Sequence, residues 1–157
     1  MKTVLDIPDL KDKKILLRTD FDVPVSEKGE IEESFRIKKQ KEMLDWLIER
    51  GAKVVMVAHL HEDDASFSNL IPQLHILLGR EIGFIKNLEE VGSYLKNYPE
   101  AGLLENIRNF DGEKENSREF AEKLSHGFDI YVNNDFAVCH RNHASVSVIT
   151  KFLPAYA

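Results

Sequence analysis

A chain of 157 residues and 18.0 kDa is long enough for one domain with a real hydrophobic core and too short for two of ordinary size. Hydrophobic residues at 43% and charged residues at 31% sit near the globular average and exclude disordered or fibrous classes. Its 27 acidic against 21 basic residues, a formal net charge of -6, exclude a broad nucleic-acid surface, which needs an excess of Lys and Arg.

Any anion site must therefore be local. The single cysteine, Cys139, allows no internal disulfide and fits a reducing compartment. No apolar run approaches the roughly 20 residues of a membrane span, and no basic start with an apolar run marks a signal peptide. A cytoplasmic protein with no membrane partner is expected.

In chain order, residues 14 to 21 (KILLRTDF) and 53 to 60 (KVVMVAHL) are apolar runs that read as buried strands. Between them Ile37, Met43, Leu44, Leu47 and Ile48 recur at helical spacing, and Gly51 is the stop signal. The alternation continues with a helix near Leu70 to Leu78, a strand at Ile82 to Ile85, a helix near Leu88 to Tyr98 and a strand at Gly102 to Leu104. A helix at Ser117 to Leu124 follows, with Ser117 as N-cap, then a strand at Asp129 to Val132 and a closing helix from about Ala144. With right-handed crossovers this predicts a single three-layer α/β/α domain over residues 1–157, with a Rossmann-like parallel sheet of about five to six strands.

In open α/β sheets ligands bind beyond the carboxyl ends of the strands. The residues there are unusually polar: Asp20 and Asp22, then His59 and His61, then Glu105, Asn106 and Arg108, then Asn133, Asn134, Asp135, His140, Arg141 and His143. The predicted topology lets Arg36, Arg108 and Arg141 converge on one edge with His59, His140 and His143. Converging cations imply an anionic ligand, and the planar Arg fork suits a carboxylate or phosphate. Taken singly, each Arg reads better as a solvated or ion-paired surface residue; their shared position after strands weakens that reading and argues for a site.

These residues carry a resemblance. LLRTDFDVP (16 to 24) resembles the "RxDFNVP" of the phosphoglycerate kinase family, SFRI (34 to 37) its "DTRI", and GAKVVMVAHL (51 to 60) the strand leading to "SHLGRP". LLENIRNF (103 to 110) resembles "LLENxRF", and DIYVNNDFAVCHRNHAS (129 to 145) resembles "DxYVNDAFGxAHRAHAS", with KFLPAYA following as in "FLPxxAG". The resemblance implies the N-terminal, substrate-binding domain of an enzyme that moves the acyl phosphate of 1,3-bisphosphoglycerate onto ADP, giving 3-phosphoglycerate and ATP. Arg36, Arg108, Arg141 and His59 would bind the carboxylate and phosphate, Asp20 and Asp22 would face the hydroxyl end, and Arg36 would serve catalysis. His140 and His143 serve either as ligand contacts or as hydrogen-bonding residues that shape the loop. No metal is expected on this chain: Mg-ATP or Mg-ADP would sit on a C-terminal nucleotide domain that the sequence lacks, and alone the chain would not catalyse.

Two departures from the family pattern change charge. Where the family has "HLGRP" the chain reads HLHEDD, so Glu62, followed by Asp63 and Asp64, stands where the family's phosphate-contacting Arg falls. Asp22 replaces the family's Asn. Both oppose an anion and leave open a non-catalytic module that keeps the scaffold without phosphate affinity. An unrelated doubly wound domain accounts for the fold but not for ENIRNF and HRNHAS.

Overall fold

The computed structural model describes residues 2–62, 64–97 and 101–157. In chain order it contains β1 (Lys14–Arg18), α1 (Phe35–Glu49), β2 (Lys53–Val57), α2 (Ile71–Leu78), β3 (Ile82–Ile85), α3 (Leu88–Asn97), β4 (Ala101–Leu104), α4 (Arg118–Ser125), β5 (Ile130–Asn133) and β6 (Ala155–Tyr156). The expected helix end at Tyr98 and the Asp63 position both lie outside the described residues.

All six strands run parallel in one sheet of order β3-β4-β2-β1-β5-β6. At the centre of the sheet β2 is apolar after Lys53 and β1 beside it contributes Ile15, Leu16 and Leu17, all buried, as burial on both faces requires. Alternate residues of each strand supply opposite layers. Ile15, Leu17, Val54 and Met56 pack against Ile37, Leu44 and Leu47 of α1 and Leu74 and Leu78 of α2. Leu16, Val55 and Val57 pack on the other side against Val91 and Leu95 of α3 and Phe120, Ala121 and Leu124 of α4. This is the three-layer α/β/α arrangement with a Rossmann-like parallel sheet that the sequence predicts.

Helix ends follow local chemistry. Past α1, Gly51 adopts φ 83°, a left-handed conformation that costs glycine little. Before α4, Ser117 Oγ accepts from the Phe120 backbone N–H at 3.2 Å, the expected N-cap.

The closing helix from Ala144 does not form. Only a 3₁₀ turn, Val148–Lys151, appears there. Side chains claim the backbone groups that a helix would need: Ser145 N–H donates to Glu113 Oε2 at 2.9 Å, and Tyr131 O–H donates to the Ser145 carbonyl at 2.8 Å. The chain instead adds β6, a two-residue strand beside β5 with Tyr156 in register with Val132, too short to leave a periodic signal. The adjoining residues are tied to the chain's first ones, with Val4 N–H donating to the Ala157 carbonyl and Ala157 N–H to the Lys2 carbonyl, each at 3.0 Å.

Candidate functional site

Register sets the site. Arg18, Val57 and Asn133 lie side by side at the carboxyl ends of the central strands, so the loops after β1, β2 and β5 open into one crevice. Four of the predicted residues converge electrostatically there: the His59 ring lies in the combined field of Arg108, Arg141 and His143, with Arg18 the nearest cation.

The loop after β2 is held by the residues after β4. Glu105 accepts from Ser66 Oγ at 2.6 Å and from the Phe67 and Asn106 N–H groups at 3.0 and 2.7 Å. Asn106 Nδ2 donates to the Ala65 carbonyl at 2.9 Å. Glu105 and Asn106 thus shape the loop carrying His61 and Glu62. Arg108 leans over the same loop, its guanidinium 3.5 Å from the Leu60 carbonyl.

Arg36, in the first turn of α1, is 46% exposed and pairs with Asp20, 3.4 Å from both carboxylate oxygens. Asp22 lies 3.4 Å from His59 Nε2 and 3.7 Å from His61 Nδ1, and its Oδ1 is buried without a hydrogen-bond partner. Arg141 and His140 are exposed on the loop after β5. His143 is mostly buried, 4.0 Å from Glu113 Oε1, and burial with the nearby cations holds its pKa below the usual histidine value. Glu62 is exposed at the rim of a cavity of about 230 Å³ shared with Val23, Pro24, Leu60 and His61.

Beneath His59 and Asp135 lies a buried polar cluster whose other members, Arg18, Ser145 and Glu113, had no assigned role in the sequence. Arg18 is 1% exposed. Its Nε donates to Asp135 Oδ2 at 3.2 Å, one terminal nitrogen to Ser145 Oγ at 2.9 Å, and the other to His59 Nδ1 at 3.0 Å. Ser145 Oγ passes a hydrogen bond on to Glu113 Oε1 at 2.6 Å. Burial pushes the Asp135 carboxyl up to about 6, against the pull of Arg18 and with the help of the Asp20 and Asp22 charges. Burial raises Glu113 likewise. His59 is driven down to about 2, first by burial and then by the surrounding arginines, so it is neutral at pH 7. A lone Arg inside the apolar run KILLR was the available signal: a cation in a strand sealed on both faces has to find buried acceptors.

Fold and crevice together define a parallel α/β domain with a mixed-charge site beyond the carboxyl ends of its strands. The family model described as Phosphoglycerate kinase matches residues 4–157. A phosphoglycerate kinase of Wolbachia sp. subsp. Drosophila simulans is 39% identical over 160 aligned positions, covering 95% of this chain and 39% of that protein. Phosphoglycerate kinase 1, chloroplastic, of Arabidopsis thaliana is 40% identical over 154 positions, covering 92% of this chain and 32% of that protein. The crystal structure of phosphoglycerate kinase from Pyrococcus horikoshii superposes with a TM-score of 0.88 at 27% identity, covering 99% of this chain and 42% of that one. The chain belongs to the phosphoglycerate kinase family and corresponds to its N-terminal part. It spans about two fifths of the length of these bacterial and archaeal relatives.

Among the described residues, no group of three or more His, Cys, Asp or Glu side chains is arranged to hold a metal ion. No helix among them is long and apolar enough to cross a membrane.

Proposed function

We propose that this chain is the glycerate-binding half of a phosphoglycerate kinase, acting in phosphoryl transfer between 1,3-bisphosphoglycerate with ADP and 3-phosphoglycerate with ATP, a step of glycolysis. The observation that carries the reading is the field of Arg108, Arg141 and Arg18 around His59, with Arg36 at the outer edge, on a fold shared with that family. Arg108, Arg141 and His59 hold the anionic ends of the glycerate. Asp20 and Asp22 accept from its hydroxyl. Arg36 is the catalytic residue: exposed and, among the described residues, paired with Asp20 through two 3.4 Å contacts, it can turn its fork to the reacting carboxyl and neutralise charge on the transferring group.

Mg-ATP or Mg-ADP supplies or receives the phosphoryl group from a nucleotide domain outside this chain, which is the second partner. Closure of that domain would expel water and bring the phosphates into line, so this chain alone binds without turning over. The free thiol of Cys139 fits a cytoplasmic setting. Neither nucleic acid nor membrane has a part in this reading.

A second reading, a non-catalytic module, is favoured by two acidic groups: Asp22, with a buried unpartnered oxygen, and Glu62, exposed on the loop after β2. Calorimetric titration with 3-phosphoglycerate at low salt separates the two. Stoichiometric binding that is lost in Arg36→Ala and Arg108→Ala supports the kinase half; a folded chain with no heat of binding supports the module.

A further inference from the structure

Arg18 is the only Lys or Arg sealed in the interior among the described residues. Its guanidinium carries donors alone and keeps its charge throughout the accessible pH range. A neutral imidazole has one nitrogen that donates and one that accepts. The 3.0 Å contact between an Arg18 terminal nitrogen and His59 Nδ1 therefore makes Nδ1 the acceptor and leaves the ring proton on Nε2. A proton on both nitrogens would set N–H against N–H at that distance. Asp135 Oδ2, 3.9 Å from His59 Nδ1, is too far to draw a proton onto that nitrogen.

The other ring nitrogen is the informative one. His59 is 1% exposed, yet its Nε2 has no hydrogen-bond partner. It lies 3.4 Å from Asp22 Oδ2 without forming a hydrogen bond to it. Charged groups face the ring from every packed element: Arg18 from β1, Asp22 from the loop after it, Arg108 from the turn after β4, and Asp135, Arg141 and His143 from β5's end and the following loop. A buried N–H with nothing to donate to costs free energy unless a ligand oxygen completes it.

We infer that Arg18 is a positioning residue that fixes His59 as the neutral Nε2–H tautomer, aiming a hydrogen-bond donor, and not a cation, at an oxygen of the bound anion. The identity of that anion rests on the glycerate reading above; the tautomer does not. Arg18 is itself held at two further corners. Ser145 is one, and the other is Asp135, where the resembling family pattern has Ala. The ring is therefore clamped before any ligand arrives. Charge on the anion is met by Arg36, Arg108 and Arg141, while His59 supplies direction. Its contribution to binding is then insensitive to pH across the range where histidines ordinarily titrate.

The test is a two-bond ¹H–¹⁵N correlation spectrum of the whole chain carrying ¹⁵N-labelled histidine, from about pH 4.5 to about pH 8, with His59→Gln to assign the ring. The expected result is a protonated Nε2 and a bare Nδ1 for His59, unchanged across the series. A proton on Nδ1, or conversion of the ring to its doubly protonated form within the series, overturns the inference. Arg18→Met is expected to mix the two tautomers and bring the ring into titration; a folded Arg18→Met that keeps a single Nε2–H form also overturns it. Should that variant not fold, the wild-type spectrum still decides. Adding 3-phosphoglycerate as a last step should displace the Nε2 signal. A flat response counts against the glycerate reading alone, since the tautomer is read before ligand is present.

Discussion

Arg18→Met tests how the crevice is built. The substitution keeps the length of an apolar stem and removes three hydrogen bonds, to Asp135, Ser145 and His59 at 3.2, 2.9 and 3.0 Å. It also leaves two fully buried carboxyls, Asp135 and Glu113, without their cation. Breaking a buried pair from one side costs about 3–5 kcal/mol, which for a domain of this size lowers Tm by about 6–20 °C. Urea unfolding followed by circular dichroism and by Trp46 fluorescence measures the loss. The single change Asp135→Ala should cost less, because Arg18 keeps Ser145 and lies 3.9 Å from Glu113. The double variant should fall short of the sum by about 0.5–3 kcal/mol. A loss under about 1 kcal/mol for Arg18→Met would refute the claim that this cluster holds the site end of the sheet together.

Acid stability should respond to two opposed groups. The unfolded chain protonates His59 below its ordinary 6.5 while the folded chain does so only near 2, so this group removes stability as pH falls through that window. Asp135, raised from 3.8 to about 6, takes its proton earlier in the folded state and returns stability between those values; each slope is at most about 1.4 kcal/mol per pH unit. Asp135→Ala should therefore steepen the loss between about pH 6 and about pH 4 in urea midpoints, and an unchanged slope would contradict the assignment. Gly102→Ala would put a Cβ 2.7 Å from the Tyr94 ring and 2.8 Å from Ile85 Cδ1, while Tyr94 is pinned through its hydroxyl to the Ala101 carbonyl; a loss of about 1–3 kcal/mol in thermal melts is expected. Ser117→Ala removes the acceptor for Phe120 N–H and should cost about 1 kcal/mol by the same measurement.

The strands and helices of the sheet's middle were legible because burial on both faces demands Val, Ile and Leu together, and 53 to 60 has few other readings. The pairs that depend on long-range geometry were not. Arg18 sits inside a motif that was read, but nothing local says that its partners are Asp135, Ser145 and His59, 117, 127 and 41 residues away. Ala144 onward looks helical only until Glu113 and Tyr131 take its backbone groups. At the site, position after a strand could not separate Glu105 and Asn106, which brace the loop after β2, from His59, which is buried against Arg18. The charge reversal at Glu62 was visible in sequence; its exposure at the rim, clear of the buried cluster, was not.

The seam between Lys2, Val4 and Ala157 makes the described chain mechanically a loop, with its last short strand lying against β5. That strand delivers Asn133 and, two residues on, Asp135, the anchor of Arg18. A pull on the seam is thus passed through three hydrogen-bonded steps to the His59 ring, so the stretch of backbone farthest from the crevice in function is, in tension, one of its closest neighbours.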